Sequence, residues 1–202
     1  MTTKTLLLAA SLLVVGAAPA HSQNFLMNSA ETINKGNFKI GVYPTVMLGE
    51  NGADNQWGVS GRFGYGFTPS FDVEAKVAFF DGFKLYGADA EVWLVKGDLD
   101  VSVGAGVHRA DVDFGFDSTA IDVSGLASGL IADKLELYGG TSLSFESLSD
   151  SDLPDDSFTR TYLVAGLEYR VREDVDLLAE FGLGLNDDSP NYFSFGVAFY
   201  LR

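Results

Sequence analysis

Bulky apolar residues recur at every second position in ten short stretches of this chain. In the last, Phe193, Phe195, Val197, Phe199 and Leu201 share one parity, and Ser194, Gly196, Ala198 and Tyr200 share the other. A period of two belongs to a strand with unlike faces. The same alternation predicts strands over 38–48, 57–67, 71–80, 83–95 and 99–108 in the first half, and over 120–131, 135–146, 158–170, 175–185 and 192–201 in the second. Ten is an even number, eight being the alternative count, and an even set of hairpin-linked antiparallel strands can close on itself. The predicted fold is therefore all-β, a closed antiparallel up-and-down barrel. Pro44 lies inside the first strand and has no N–H to give to the ladder, which predicts a bulge or break there.

The connections alternate in length. Those after strands two, four, six and eight are residues 68–70, 96–98, 132–134 and 171–174, short enough for tight hairpins. The others, 49–56, 109–119, 147–157 and 186–191, are mostly longer, and only Asp81-Gly82 breaks the pattern. Short turns on one rim and long loops on the other are the habit of transmembrane barrels of the outer membrane, with both termini on the periplasmic, short-turn side. The long connections are acidic: Glu50, Asp54, Asp111, Asp113, Asp117, Asp150, Asp152, Asp155, Asp156, Asp187 and Asp188, with Arg109 the one base among them.

Which face meets which solvent follows from charge. One parity reads Trp57, Val59, Gly61, Phe63, Tyr65, Phe67 in the second strand and Val175, Leu177, Ala179, Phe181, Leu183, Leu185 in the ninth, without a charge. The opposite parity carries Arg62, Asp72, Glu74, Lys76, Asp89, Glu91, Asp100, Asp122, Glu136, Arg160, Glu168, Asp176 and Glu180 among many Gly and Ser. An Arg or Lys facing the bilayer midplane costs ~2–4 kcal/mol, so these groups belong in the lumen and the apolar parity in lipid. Trp57 and Phe67, ten residues apart, span about 25 Å at roughly 3.3 Å per residue and a tilt of about 40°, the height of an outer-membrane apolar band. A secreted, lipocalin-like barrel is the alternative, with its apolar parity inward. That alternative requires a charged outer face, whereas the polar parity here is rich in small residues such as Gly58, Ser60, Gly64, Gly66, Ser102, Gly104 and Gly106.

Residues 1–20 have the form of a cleaved signal peptide: Lys4, an apolar run from Leu6 to Ala18, and the small-residue site Ala18-Pro19-Ala20. No later stretch is long and apolar enough for a spanning helix. The organisation expected is a leader over 1–20, a lead-in or plug over 21–36, and one barrel over 37–202. The chain has no cysteine, which excludes disulfides and thiolate chemistry. Its net charge of −15 disfavours nucleic acid as a partner and favours cations.

At the C-terminus the chain becomes specific. Ser194, Phe195, Gly196, Val197, Ala198, Phe199, Tyr200 and Leu201 resemble the assembly signal of outer-membrane barrels: a polar residue, a glycine, then two apolar or aromatic residues, Phe199 and Leu201, on the lipid face. Arg202 departs from that pattern, since such chains often end on the aromatic. The resemblance implies insertion by the barrel-assembly machinery and contact with outer-membrane lipid and lipopolysaccharide. Residues 37–202 resemble the small outer-membrane barrels grouped as OmpA-like or porin-like. That group includes pores, adhesins, lipid-modifying enzymes and structural proteins, so the fold alone does not select a function.

Three functional readings remain at this level. One is an integral barrel, structural or a slender cation-preferring pore, in which inward carboxylates outnumber the inward bases Lys39, Arg62, Lys76, Arg160 and Arg170. Buried charges need partners, so a lumen closed by pairs such as Arg62 with Glu74 or Arg160 with Glu168 takes precedence over an open one. The second reading is a binding module using the acidic loops. The third is a rim enzyme, for which His108 with Ser124 or an aspartate is the candidate; no lipid-modifying motif accompanies it, and packing in the inner wall is the expectation. Asp111/Asp113 and Asp150/Asp152 lack the glycine and terminal glutamate of a calcium loop, so no metal, cofactor or enzymatic activity is assigned. For residues 21–36, with their apolar triplet Phe25-Leu26-Met27, a mobile lead-in is the expectation and a plug the alternative.

Overall fold

A computed structural model describes residues 25–49, 54–112, 116–149 and 157–202. The leader expected over 1–20, residues 21–24, and Glu50, Asp113, Asp150, Asp152, Asp155 and Asp156 of the acidic loops lie outside the described residues. Among the described residues ten strands form: β1 (Phe38–Met47), β2 (Gln56–Thr68), β3 (Phe71–Phe80), β4 (Phe83–Val95), β5 (Asp100–Val112), β6 (Phe116–Ala132), β7 (Leu135–Ser149), β8 (Ser157–Arg172), β9 (Val175–Gly184) and β10 (Tyr192–Leu201). Each pairs antiparallel with its sequence neighbours, and β1 pairs with β10, so the sheet closes without an edge. At a strand spacing of about 4.8 Å and a tilt of about 40°, ten strands enclose a cylinder about 20 Å across, backbone to backbone.

The alternating faces fall as hydrocarbon outside and polarity inside demand. Phe63, Val103 and Phe195, in the apolar rows, are 51 %, 43 % and 50 % exposed on the outer wall. An inward apolar lining, as a soluble lipocalin-like barrel has, is ruled out by these positions. Trp57, Phe79, Tyr86, Phe145 and Phe193 stand exposed near the loop rim, and Phe67, Tyr169 and Phe199 near the turn rim. The lumen charges predicted from parity are buried, apart from Asp89, whose side chain is 15 % exposed, and Arg170, half-exposed at the turn rim.

One expectation about strands is corrected and another is met in one of its two forms. The connection over 109–119 is largely ladder: Arg109 pairs with Thr119, Asp111 with Asp117 and Val112 with Phe116. Above the apolar band both faces meet polar surroundings, so alternation stops marking the strand while hydrogen bonding continues. Arg109 draws together the two carboxylates that face one another there, Asp111 at 3.2 Å and Asp117. Of the bulge or break expected at Pro44, the break forms, on the β10 side alone. Pairing of β1 with β10 is interrupted between Val42 and Thr45, yet the register is the same on either side, and pairing with β2 continues through Pro44. The register shifts lie instead at Gly66/Thr68, Trp93/Val95, Leu130/Ala132 and Arg170/Arg172, one beside each short turn. An extra residue there increases local twist where the wall reverses direction.

Residues 25–34 run inside the barrel. The chain descends the lumen from Phe25 and reverses at Gly36, whose φ of +83° suits glycine. It then leaves the turn rim as β1. Lys35 bridges to Gly66, with Gly36 donating to the Gly66 carbonyl at 2.8 Å and Gly66 donating to Asn37 at 3.1 Å. The mobile lead-in expected for this stretch does not describe these residues, because the wall supplies partners for its backbone.

Candidate lumenal site

The inner wall of β1 to β3 holds the bases Lys39, Arg62 and Lys76. Arg62 donates through Nε to Glu74 at 2.5 Å, through Nη2 to Asp89 at 2.8 Å, and through Nη1 to the Phe25 carbonyl at 2.7 Å. Lys39 reaches Glu74 at 3.1 Å and also the side-chain oxygen of Asn28. Lys76 bridges Asp89 and Asp122, each at 2.6 Å. Asp122 further meets His108 Nδ1 at 2.7 Å and accepts from Ser144 at 2.6 Å. The Ser144 hydroxyl thus bonds the carboxylate, on the other oxygen from the ring, and Ser124 lies beside Gly104 on the wall. His108 belongs to a charge-compensating cluster with Lys76.

Of the two ion pairs expected, Arg62 with Glu74 forms. Arg160 does not pair with Glu168; it donates to Glu146 at 2.6 Å, to the Asp188 carbonyl, and stacks on Phe158. Both candidates share a face of β8, but eight residues at about 3.3 Å each separate them along the strand. Glu168 instead neighbours Glu136 across the β7–β8 ladder. Arg170, also expected inward, sits half-exposed at the turn rim, 3.7 Å from Glu31 and 3.8 Å from Asp176.

Against this wall the inner segment is fastened at successive levels. Phe25 stacks on Phe80 at 5.5 Å and meets the Tyr192 ring edge-on at 5.1 Å. Met27 N donates to Glu180 at 2.8 Å, a carboxylate that also accepts from Tyr138 at 3.0 Å and Tyr192 at 2.7 Å. Lower down, Ala30 N donates to Ser128 at 3.1 Å and Ile33 N to Asp72 at 2.6 Å. Buried acids otherwise short of bases therefore accept backbone N–H groups, which satisfies both sides.

Small inward residues make room for this. A Cβ on Gly66 would strike the carbonyl oxygens of Ile33 and Asn34, and one on Gly64 would strike the Ile33 side chain. Elsewhere rings fill the space: Tyr43 lies over Gly41, Tyr138 over Gly166 and Tyr192 over Gly182. The inward glycines are legible in the sequence and the rings that cover them are not, because tyrosines at inward parity read as polar positions. Around the turn-rim mouth, Glu31 joins Asp100, Glu136, Glu168 and Asp176. Partial burial raises the Glu31 carboxyl above its ordinary range; Arg170 opposes this, while Glu168 and Asp100 add to it. Glu31 and Glu146 were not singled out from sequence, since Glu31 precedes the periodic pattern and Glu146 closes a predicted strand.

A closed antiparallel cylinder with an apolar exterior, aromatic rims and an ionic interior defines an integral outer-membrane β-barrel. Residues 7–200 match the outer membrane protein beta-barrel domain family, and the chain belongs to it. No curated protein matches the chain in sequence. Among solved structures it is similar to the N-terminal beta-barrel domain of Pseudomonas aeruginosa OprF, with 15% identity, TM-score 0.41, covering 83% of this chain and 98% of that one. It is also similar to the Yersinia pestis outer membrane protein Ail, with 14% identity, TM-score 0.45, covering 83% and 100%. A third similar structure is OprG of Pseudomonas aeruginosa, with 15% identity, TM-score 0.38, covering 87% and 100%. Likeness at this level carries no inference about function.

Proposed function

We propose that this outer-membrane barrel rests closed, its lumen occupied by residues 25–34, and that withdrawal of this segment exposes a narrow, cation-preferring path. The observation that supports the reading most is the set of wall bonds to the segment: Arg62 to Phe25, Glu180 to Met27, Ser128 to Ala30 and Asp72 to Ile33. Once those bonds are released, Glu180, Asp72, Glu91 and Glu136 face a passage whose bases, Lys39, Arg62, Lys76 and Arg160, stay committed to Glu74, Asp89, Asp122 and Glu146. A lining with acids to spare concentrates cations. In this reading the turn rim, with β1 entering and β10 ending there, faces the periplasm. The β10 residues Ser194, Gly196, Phe199 and Leu201 are then presented to the assembly machinery.

Planar-bilayer conductance tests it. The chain without residues 1–20 should be silent or nearly so, and a variant also lacking 25–34, shown to be folded by circular dichroism, should give cation-selective steps. A folded deletion variant as silent as its parent, or one preferring anions, contradicts the reading.

A further inference from the structure

Three carboxylates from separate parts of the chain converge at the turn-rim mouth. Glu31 lies on the inner segment, Asp100 opens β5 and Glu136 stands second in β7. One oxygen from each lies within 4.8 Å of the others. Two oxygens bound to one Ca²⁺ at about 2.3–2.6 Å each stand at most about 5.2 Å apart. All three oxygens can therefore reach one Ca²⁺, which accepts irregular oxygen geometry, whereas Mg²⁺ demands near-ideal octahedral geometry and dehydrates reluctantly.

The surroundings point the same way. Asp100 is held by Oδ1, which accepts from Trp93 Nε1 at 3.2 Å and from Gly97 N at 3.0 Å. Glu136, which contributes an oxygen to this cluster, is only 4 % exposed, and its Oε1 has no hydrogen-bond partner among the described residues. Leaving a buried carboxylate oxygen unmatched is costly, and a cation held between the three carboxylates would match it. The nearest bases are not bound tightly to the cluster: Arg170 approaches Glu31 only to 3.7 Å, and the Lys96 ammonium lies over the Trp93 ring and donates to the Pro69 carbonyl.

We propose that Glu31, Asp100 and Glu136 bind a calcium ion that staples the inner segment to the wall at the turn-rim mouth, with water completing the shell. The staple rests on the segment being in the lumen, as in the function proposed above. It does not require that the barrel ever conduct.

The test is a calcium titration of the folded chain in detergent after chelator treatment, by calorimetry and by Trp93 fluorescence in a Trp57→Phe background. One saturable site is expected, with calcium preferred over magnesium. Glu136→Gln and Glu31→Gln should each weaken it about tenfold or more, because ligand charge sets affinity in such sites. Asp111→Asn, at the opposite rim, should leave it unchanged. Absence of saturable calcium binding overturns the proposal, as does a Glu31→Gln chain that binds like its parent, since the ion would then touch the wall alone. Glu31 lies outside the ladder, so its variant reports on the site and not on barrel folding. Calcium binding of the expected kind in a chain whose deletion variant stays silent would overturn the pore and leave the staple standing.

Discussion

Arg62 satisfies three acceptors on two strands and the inner segment, and its burial makes each bond matter. Replacing it with Met leaves Glu74 to Lys39 and Asp89 to Lys76, while the Phe25 carbonyl loses its donor. Breaking a buried ion pair costs about 3–5 kcal/mol. With both acids retaining a second base, the lower end applies: urea unfolding of Arg62→Met in lipid vesicles should show a loss of about 3 kcal/mol. A loss under about 1 kcal/mol would mean that Lys39 and Lys76 suffice. At this scale parity in the sequence was a sound guide to the face of every predicted lumen charge, because a strand offers only two faces. It was silent on height, which is why Arg62 with Glu74, close across the β2–β3 ladder, could be matched correctly and Arg160 with Glu168 could not. Arg160 finds Glu146 only once the β7–β8 register is known, and nothing local in the sequence sets that register.

The elements divide into a periodic wall and an aperiodic occupant. Strand positions were legible wherever the chain crosses the apolar band, and the ends of β5 to β8 were not, since outside that band neither face has a preferred partner. Residues 25–34 were the least legible. Their apolar triplet has no alternation, and their bonds depend on Glu180, Ser128 and Asp72, each far off in sequence. The wall nevertheless carries a mark of their presence in the row Gly64, Gly66, where a side chain would meet Ile33 and Asn34. Gly66→Val therefore displaces the segment while leaving the lipid face of β2 intact. The expected outcome is a chain that still folds and that conducts at least tenfold more often than its parent in planar bilayers, a displacement worth about 1.4 kcal/mol or more in the open-to-closed balance. Unchanged silence would place the segment elsewhere.

At the scale of the whole molecule, closure and lipid exposure are one statement. An even antiparallel set pairs its first strand with its last, so every strand edge is covered, and the apolar rows then form a continuous belt. The same geometry turns the charged rows inward, where they compensate one another and bind the N-terminal residues. The absence of cysteine makes the belt open to direct measurement by single-cysteine spin labels in lipid vesicles. Labels at Phe63, Val103 and Phe195 should be accessible to oxygen dissolved in hydrocarbon, whereas labels at the intervening Ser102 and Ser194 should be shielded from it, giving an alternation with a period of two. Loss of that alternation, or its reversal with Ser102 and Ser194 as the oxygen-accessible sites, would contradict the account.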